Sequence, residues 1–123
     1  MKVPSAGLVP DPKRKTRRIY ETCFYGSRGD HKILTPVANA YAGPTDGSGH
    51  PSAKPKDMLC HFFEMFVDQN TRMLDPTCGS GTALCAAEYH DATQVLGLEI
   101  NKDYAERASS ALEAARRKRE NDT

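Results

Sequence analysis

The stretch that most constrains this chain runs from Asp75 to Thr82: Asp-Pro-Thr-Cys-Gly-Ser-Gly-Thr. A short run, Arg72-Met73-Leu74, leads into it, and small residues, Ala83 onward to Tyr89, lead out. A strand that breaks at Gly-Ser-Gly and reopens as a helix is a nucleotide-handling turn. Glycine lets the backbone pass close to a ligand, because no side chain stands in the way. The helix that follows aims unpaired N–H groups at the same place. The turn fails one test for a dinucleotide site, since the third glycine of G-x-G-x-x-G would fall at Leu84. Two acidic residues frame it instead: Asp75 just before it, and Glu99 at the end of the next apolar run.

The rest of the chain is consistent with one modest domain, since 123 residues do not suffice for two. A net charge of +1 gives no global attraction to nucleic acid. The basic residues are nevertheless clustered, at Lys13, Arg14, Lys15, Arg17 and Arg18, and again from Arg116 to Arg119. Cys23, Cys60, Cys78 and Cys85 form no C-x-x-C pair, and Cys60-His61 is adjacent rather than four apart. That spacing implies reduced thiols and no metal site. No run approaches a membrane span, and the N-terminus has no apolar core of a secretory signal. The expected setting is cytoplasmic.

Residues 1–18 read as a disordered basic tail, interrupted by Pro4, Pro10 and Pro12, with DNA phosphates as one use for its charge. Ile19 to Tyr25 and Lys32 to Ala38 read as strands around a Gly26–Asp30 turn, and so as antiparallel neighbours. Pro36 weakens the second. Residues 39–53 form a long loop of Gly, Pro, Ser and Asp, working or mobile. A helix over about 55–68 begins at Pro55 and puts Met58, Leu59, Phe62, Phe63, Phe66 and Val67 on one face, most simply a core face. Strands follow at about 72–75 and 94–98, and helices at about 81–90 and 101–118, the last capped near Asn101. Glu113 and Arg117 pair at i, i+4 on its polar side, and Arg116 to Arg119 suit its negative end. The strand–helix–strand crossover makes its two strands parallel and right-handed. Residues 119–123 are a tail.

Glu99 lies 20 residues after Gly79. A carboxylate there can accept both ribose hydroxyls of a nucleoside, with Ile100 beside the base; the alternative is a surface glutamate capping a helix start. Asp75, acceptor-only when ionised, would repel a pyrophosphate and welcome an ammonium. Together they point to a zwitterionic amino-acid nucleoside, of which S-adenosylmethionine is one.

Asp75-Pro76-Thr77-Cys78-Gly79-Ser80-Gly81-Thr82 resembles the D-P-F-x-G-S-G-T cofactor motif of DNA amino-methyltransferases, which modify adenine N6 or cytosine N4. Gly97-Leu98-Glu99-Ile100-Asn101-Lys102-Asp103-Tyr104 is similar to their G-x-E-I-x-x-x-Y segment, and His50-Pro51-Ser52-Ala53-Lys54-Pro55 to their H-P-x-x-K-P segment. The order matches the permuted, beta-type branch, and Arg18 to Asp30 resembles an earlier strand-and-turn segment of the same enzymes. The resemblance implies an α/β fold: a partial doubly wound, Rossmann-like methyltransferase sheet, incomplete and mixed parallel and antiparallel, over residues 19–118.

It also implies roles. Asp75, Gly79 and Gly81 line the methionine end of S-adenosylmethionine, with Ser80 and Thr82 supporting the turn, and Cys78 and Asn101 count with them as cofactor-binding residues. Glu99 holds the ribose, with Ile100 against the adenine. His50, Ser52 and Lys54 close the pocket. DNA is the implied partner, and restriction-modification the implied setting. Thr77 stands where the family has Phe, which removes an aromatic wall beside the methyl group. A larger departure is that no D/N/S-P-P-aromatic tetrapeptide, which holds the target base in this family, occurs in the 123 residues. No catalytic residue is therefore assigned. The chain is expected to be the C-terminal cofactor-binding part of such an enzyme, self-associating or needing a partner with the catalytic segment. Two other readings stay open: a non-catalytic remnant that binds cofactor, DNA or a partner chain, and a dinucleotide-binding domain, against which Leu84 and Asp75 count.

Overall fold

The computed structural model describes residues 2–4, 21–43 and 54–123. Its elements are β1 (Lys2–Pro4), β2 (Tyr41–Gly43), α1 (Lys56–Phe63), β3 (Arg72–Asp75), α2 (Thr82–Tyr89), β4 (Gln94–Gly97) and α3 (Lys102–Asp122). The second half is the expected strand–helix–strand–helix unit. β3 and β4 are parallel, with Arg72 opposite Gln94, Met73 opposite Val95, Leu74 opposite Leu96 and Asp75 opposite Gly97. Side-chain alternation gives this small sheet two unlike faces. Met73 and Val95 turn inward and pack against Val67, Ala87 and Ala92. Leu74 and Leu96 point the other way and are each 59% exposed.

Helix α2 is the hub, in contact with α1, α3, β3 and β4. Its small residues explain this. Ala86 and Ala87 are wholly buried, and Leu84 and Cys85 nearly so. An alanine face lets a helix approach its neighbours closely at little entropic cost. Glu88 is buried on the same helix. A buried carboxylate is tolerated only when paired. Arg116 of α3 supplies the pairing through Nε, 2.8 Å from Glu88 Oε1. Arg119 Nη1 lies 3.0 Å from Oε2, close in charge though out of line for a hydrogen bond. Two residues of the basic C-terminal cluster thus tie α3 to α2, a use beyond balancing the helix dipole. Glu113 and Arg117 approach to 3.7 Å along α3, as their spacing requires.

Helix α1 ends at Phe63, earlier than its apolar stripe implies. Pro55 is its N-cap, with extended ψ, rather than its first helical residue. After Phe63 the chain tightens: Met65 N–H donates to Phe62 O and Phe66 N–H to Phe63 O, three residues back. The tightened turn still delivers Phe66 and Val67 to the core. An Asp68 turn then stops it. Asp68 Oδ1 accepts from Asn70 N–H at 2.9 Å and from Thr71 Oγ1 at 3.1 Å. These bonds, the Asn70 one foremost, hold the Asp68 carboxyl below its ordinary pKa.

The expected antiparallel pair is not present among the described residues. Residues 22–40 carry no strand, and Ile19 and Tyr20 lie outside the described residues. Both ladders are parallel: β3 with β4, and β1 with β2, in which Lys2 faces Tyr41. β1 falls within the stretch read as a tail. The aromatic residues that signalled a strand do something else. Tyr25 stacks on Phe66, centroids 5.5 Å apart, and Phe24 stands 94% exposed. The 32–38 stretch is held on α1's side by single contacts, Leu34 N–H to Met65 O at 2.7 Å and His61 Nε2 to Ala38 O at 2.8 Å. Pro36 in its middle lacks the donor a ladder needs.

Candidate functional site

The candidate site is built where β3 and β4 end together. Leu98 N–H donates to Asp75 O at 2.9 Å, one step past the ladder. Cys78 N–H then donates to Leu98 O at 2.9 Å, which folds the turn back over the end of β4. Gly81 N–H closes the turn on Cys78 O at 2.9 Å. Gly79 (φ 54) and Gly81 (φ 86) are both left-handed, a region that side-chain-bearing residues enter at a cost. Gly81 is the N-cap of α2, and Cys85 N–H takes its carbonyl at 3.0 Å to start the helix.

Glu99 joins the turn to the next helix. Its Oε2 accepts from Gly79 N–H at 2.9 Å, and its Oε1 accepts from Asn101 N–H at 2.8 Å. Asn101 in turn caps α3, with Oδ1 accepting from Tyr104 N–H at 3.1 Å. The helix-start alternative read for Glu99 thus has a counterpart in geometry. It braces a helix start, and it reaches the glycine turn. Each carboxylate oxygen keeps a further acceptor position, because an ionised carboxylate offers about four in all. Two hydroxyl donors at adjacent carbons fit that remaining capacity.

Asp75 contributes the second carboxylate. Its Oδ1 accepts from Thr77 N–H at 3.0 Å, which fixes the side chain at the mouth of the turn. Between the two acids lies Cys78, whose thiol is pushed above its ordinary 9.0 by burial first, and then by the charges of Asp75 and Glu99. The mouth is therefore electronegative and suits a cation beside hydroxyl groups. Next to Glu99, a cleft of about 400 Å³ opens between β4 and α3, walled by Leu98, Ala105 and Leu112. Asp75 lies outside its walls.

Of the other residues named from sequence, Ser80 is half-buried in the turn, Thr82 is the first residue of α2, and Ile100 is fully exposed just past Glu99. Lys54 is exposed and paired with Glu21 at 2.9 Å, so its charge is engaged outside the turn. His50 and Ser52 lie outside the described residues. Among the described residues no group of three or more His, Cys, Asp or Glu could hold a metal ion. No helix among them is long and apolar enough to cross a membrane. Two residues with no role assigned from sequence stand against the turn. Ala108 of α3 approaches Gly81 so closely that a Cβ there would meet its Cβ at 2.9 Å, and Gly97 of β4 lies under Cys78. The signal for the first was the small-residue spacing of α3; for the second, its glycine.

No family model matches the chain. Over 68 residues it is 32% identical to the Escherichia coli (strain K12) protein named "Putative methylase YubD", a match that covers 55% of this chain and 30% of that protein. In fold it is similar to the crystal structure of the M1.HpyAVI complex with S-adenosylmethionine, with a TM-score of 0.60 at 16% identity, over 89% of this chain and 57% of the other. A second crystal structure of M1.HpyAVI gives 0.54 at 19% identity, over 90% and 56%. The chain thus spans under a third of the curated relative's length and a little over half of the solved chains. The resemblance to the cofactor-binding part of a methyltransferase, read from three motifs, holds in sequence and in fold. The architecture is an α/β one of that type with a small partial sheet.

Proposed function

We propose that this chain is the S-adenosylmethionine-binding portion of a DNA amino-methyltransferase acting on adenine N6 or cytosine N4. The observation that carries the reading is the meeting of Glu99 with the Gly79 N–H at the ends of two parallel strands. Ligands of open α/β sheets bind at that end. The ribose hydroxyls would use the free acceptor positions of Glu99. The ammonium group would face Asp75, and the methionine chain would run over Gly79 and Gly81. Ser80, Thr82, Cys78 and Asn101 shape the turn and its neighbour. Ile100, fully exposed, is free to lie against the adenine. Lys54, with His50 and Ser52, would close the pocket after Lys54 releases Glu21. The complex of M1.HpyAVI with S-adenosylmethionine supports the choice of cofactor. Four cysteines, all unpaired, suit a reducing cytoplasm.

DNA is the proposed substrate, but base chemistry needs a flipped base held in a pocket. No Pro-Pro-aromatic tetrapeptide in the 123 residues supplies one. We therefore propose that methyl transfer requires a catalytic segment from elsewhere. That same absence favours a second reading, a non-catalytic remnant that binds cofactor, DNA or a partner chain. Equilibrium dialysis with labelled S-adenosylmethionine and labelled NAD tests the cofactor assignment. Retention of S-adenosylmethionine alone is the expected result. Retention of NAD alone, or of neither, would overturn it.

A further inference from the structure

The packing beneath the turn points to a positioning role for Gly97, which sits on β4 and has no side chain to offer a ligand. We infer that Gly97 sets the height of the cofactor turn by providing the seat for the Cys78 side chain. A Cβ built on Gly97 would lie 2.6 Å from Cys78 Sγ, 2.9 Å from Cys78 Cβ and 2.5 Å from Leu84 Cδ1. All three are closer than atoms of neighbouring side chains pack. Leu84 can swing its terminal methyl aside. Cys78 cannot move so easily, because its N–H is bound to Leu98 O and its carbonyl to Gly81 N–H.

The missing third glycine of the turn is explained by the same contact. In dinucleotide folds that glycine sits on the helix and admits the strand closely. Here the helix carries Leu84, buried to 4% exposure, and the glycine is on the strand. The space is exchanged between partners. On the other side, Ala108 of α3 meets Gly81. The turn is therefore gripped between β4 and α3, with Cys78 pointing down into the grip. Cys78 then acts as an anchor for the backbone that faces the ligand, at the edge of the cleft that it lines together with Gly97 and Glu99. The raised pKa of that thiol fits its burial there.

A methyl group at position 97 would lift Cys78 and displace Gly79, whose N–H is bound to Glu99. This inference rests on the cofactor reading for its affinity readout, but not for its structural one. The experiment uses the full chain as wild type, Gly97→Ala, Cys78→Gly and the double variant. S-adenosylmethionine affinity is measured by calorimetry, and the Gly79 amide is followed by ¹H–¹⁵N NMR. Gly97→Ala should weaken affinity about tenfold and shift the Gly79 resonance, the scale expected of one overpacked methyl. Cys78→Gly with Gly97→Ala should restore both to the values of Cys78→Gly alone. A merely destabilising Gly97→Ala would lower the melting temperature without being rescued at position 78. An unmoved Gly79 resonance in Gly97→Ala, or no rescue by the double variant, would overturn the positioning role. If wild type binds no S-adenosylmethionine, the cofactor reading fails, and the Gly79 resonance alone decides the positioning role.

Discussion

Glu99 shows how one residue was partly legible and partly not. Its distance from Gly79 in sequence marked it as a ribose acceptor or a helix cap, and that Oε2 accepts from Gly79 N–H was in neither reading. The bond of Oε1 to Asn101 N–H fits the helix-start alternative, since Asn101 is the N-cap of α3. Cys78 was legible as part of the motif, but its direction was not, because Gly97 is brought under it only by strand pairing. The thiols also carry a pH dependence. Burial is the leading cause that raises Cys60, Cys78 and Cys85 above 9.0. A raised folded pKa means the folded state holds its proton longer than the unfolded one. That contribution is complete below pH 9 and is lost as pH climbs through the folded values. Urea midpoints should therefore fall between pH 8 and pH 10, and fall less in Cys60→Ala/Cys85→Ala. An equal fall in that variant would contradict the assignment.

At the scale of elements, the parallel unit from β3 to α3 followed from the strand–helix–strand order, whose crossover makes the two strands parallel. The 19–38 region did not. Its aromatic and β-branched residues match strand composition, yet Tyr25 is used to stack on Phe66 and Pro36 removes a ladder donor. Helix α1 was over-extended for a related reason: its stripe continues through a tightened turn that keeps the same face inward. The buried residues of α2 supply two predictions. Leu84→Ala should cost about 2–4 kcal/mol in chemical unfolding, since the side chain is buried against neighbours that cannot all collapse. Replacing both Arg116 and Arg119 by Met should cost about 3 kcal/mol or more, because Glu88 would be left buried and unpaired. Glu88→Gln should cost less, as both arginines reach solvent. The reverse order in urea unfolding would show that the ion pairs are incidental.

For the molecule as a whole, the sheet is unfinished. A parallel sheet is ordinarily covered on both faces, and two strands alone are marginal. Here Leu74, Leu96 and Leu98 are more than half exposed, and β3 and β4 each keep one unpaired edge among the described residues. Exposed edges and apolar faces invite another chain. Light scattering should therefore show a mass above that of one chain at high concentration, and Leu74→Lys with Leu96→Lys should lower it. A monomer at every concentration would contradict this. The same incompleteness predicts no methyl transfer from labelled S-adenosylmethionine to DNA by the pure chain, and turnover would contradict it.

We propose that the Gly79–Glu99 junction holds S-adenosylmethionine. Calorimetric titration of S-adenosylmethionine into wild type and Glu99→Ala, with matching circular dichroism spectra, tests it most directly. The expected result is binding to wild type, weakened by about 1–3 kcal/mol in the variant, the scale of a hydrogen bond lost to a charged group. Equal affinity in the two proteins would contradict it.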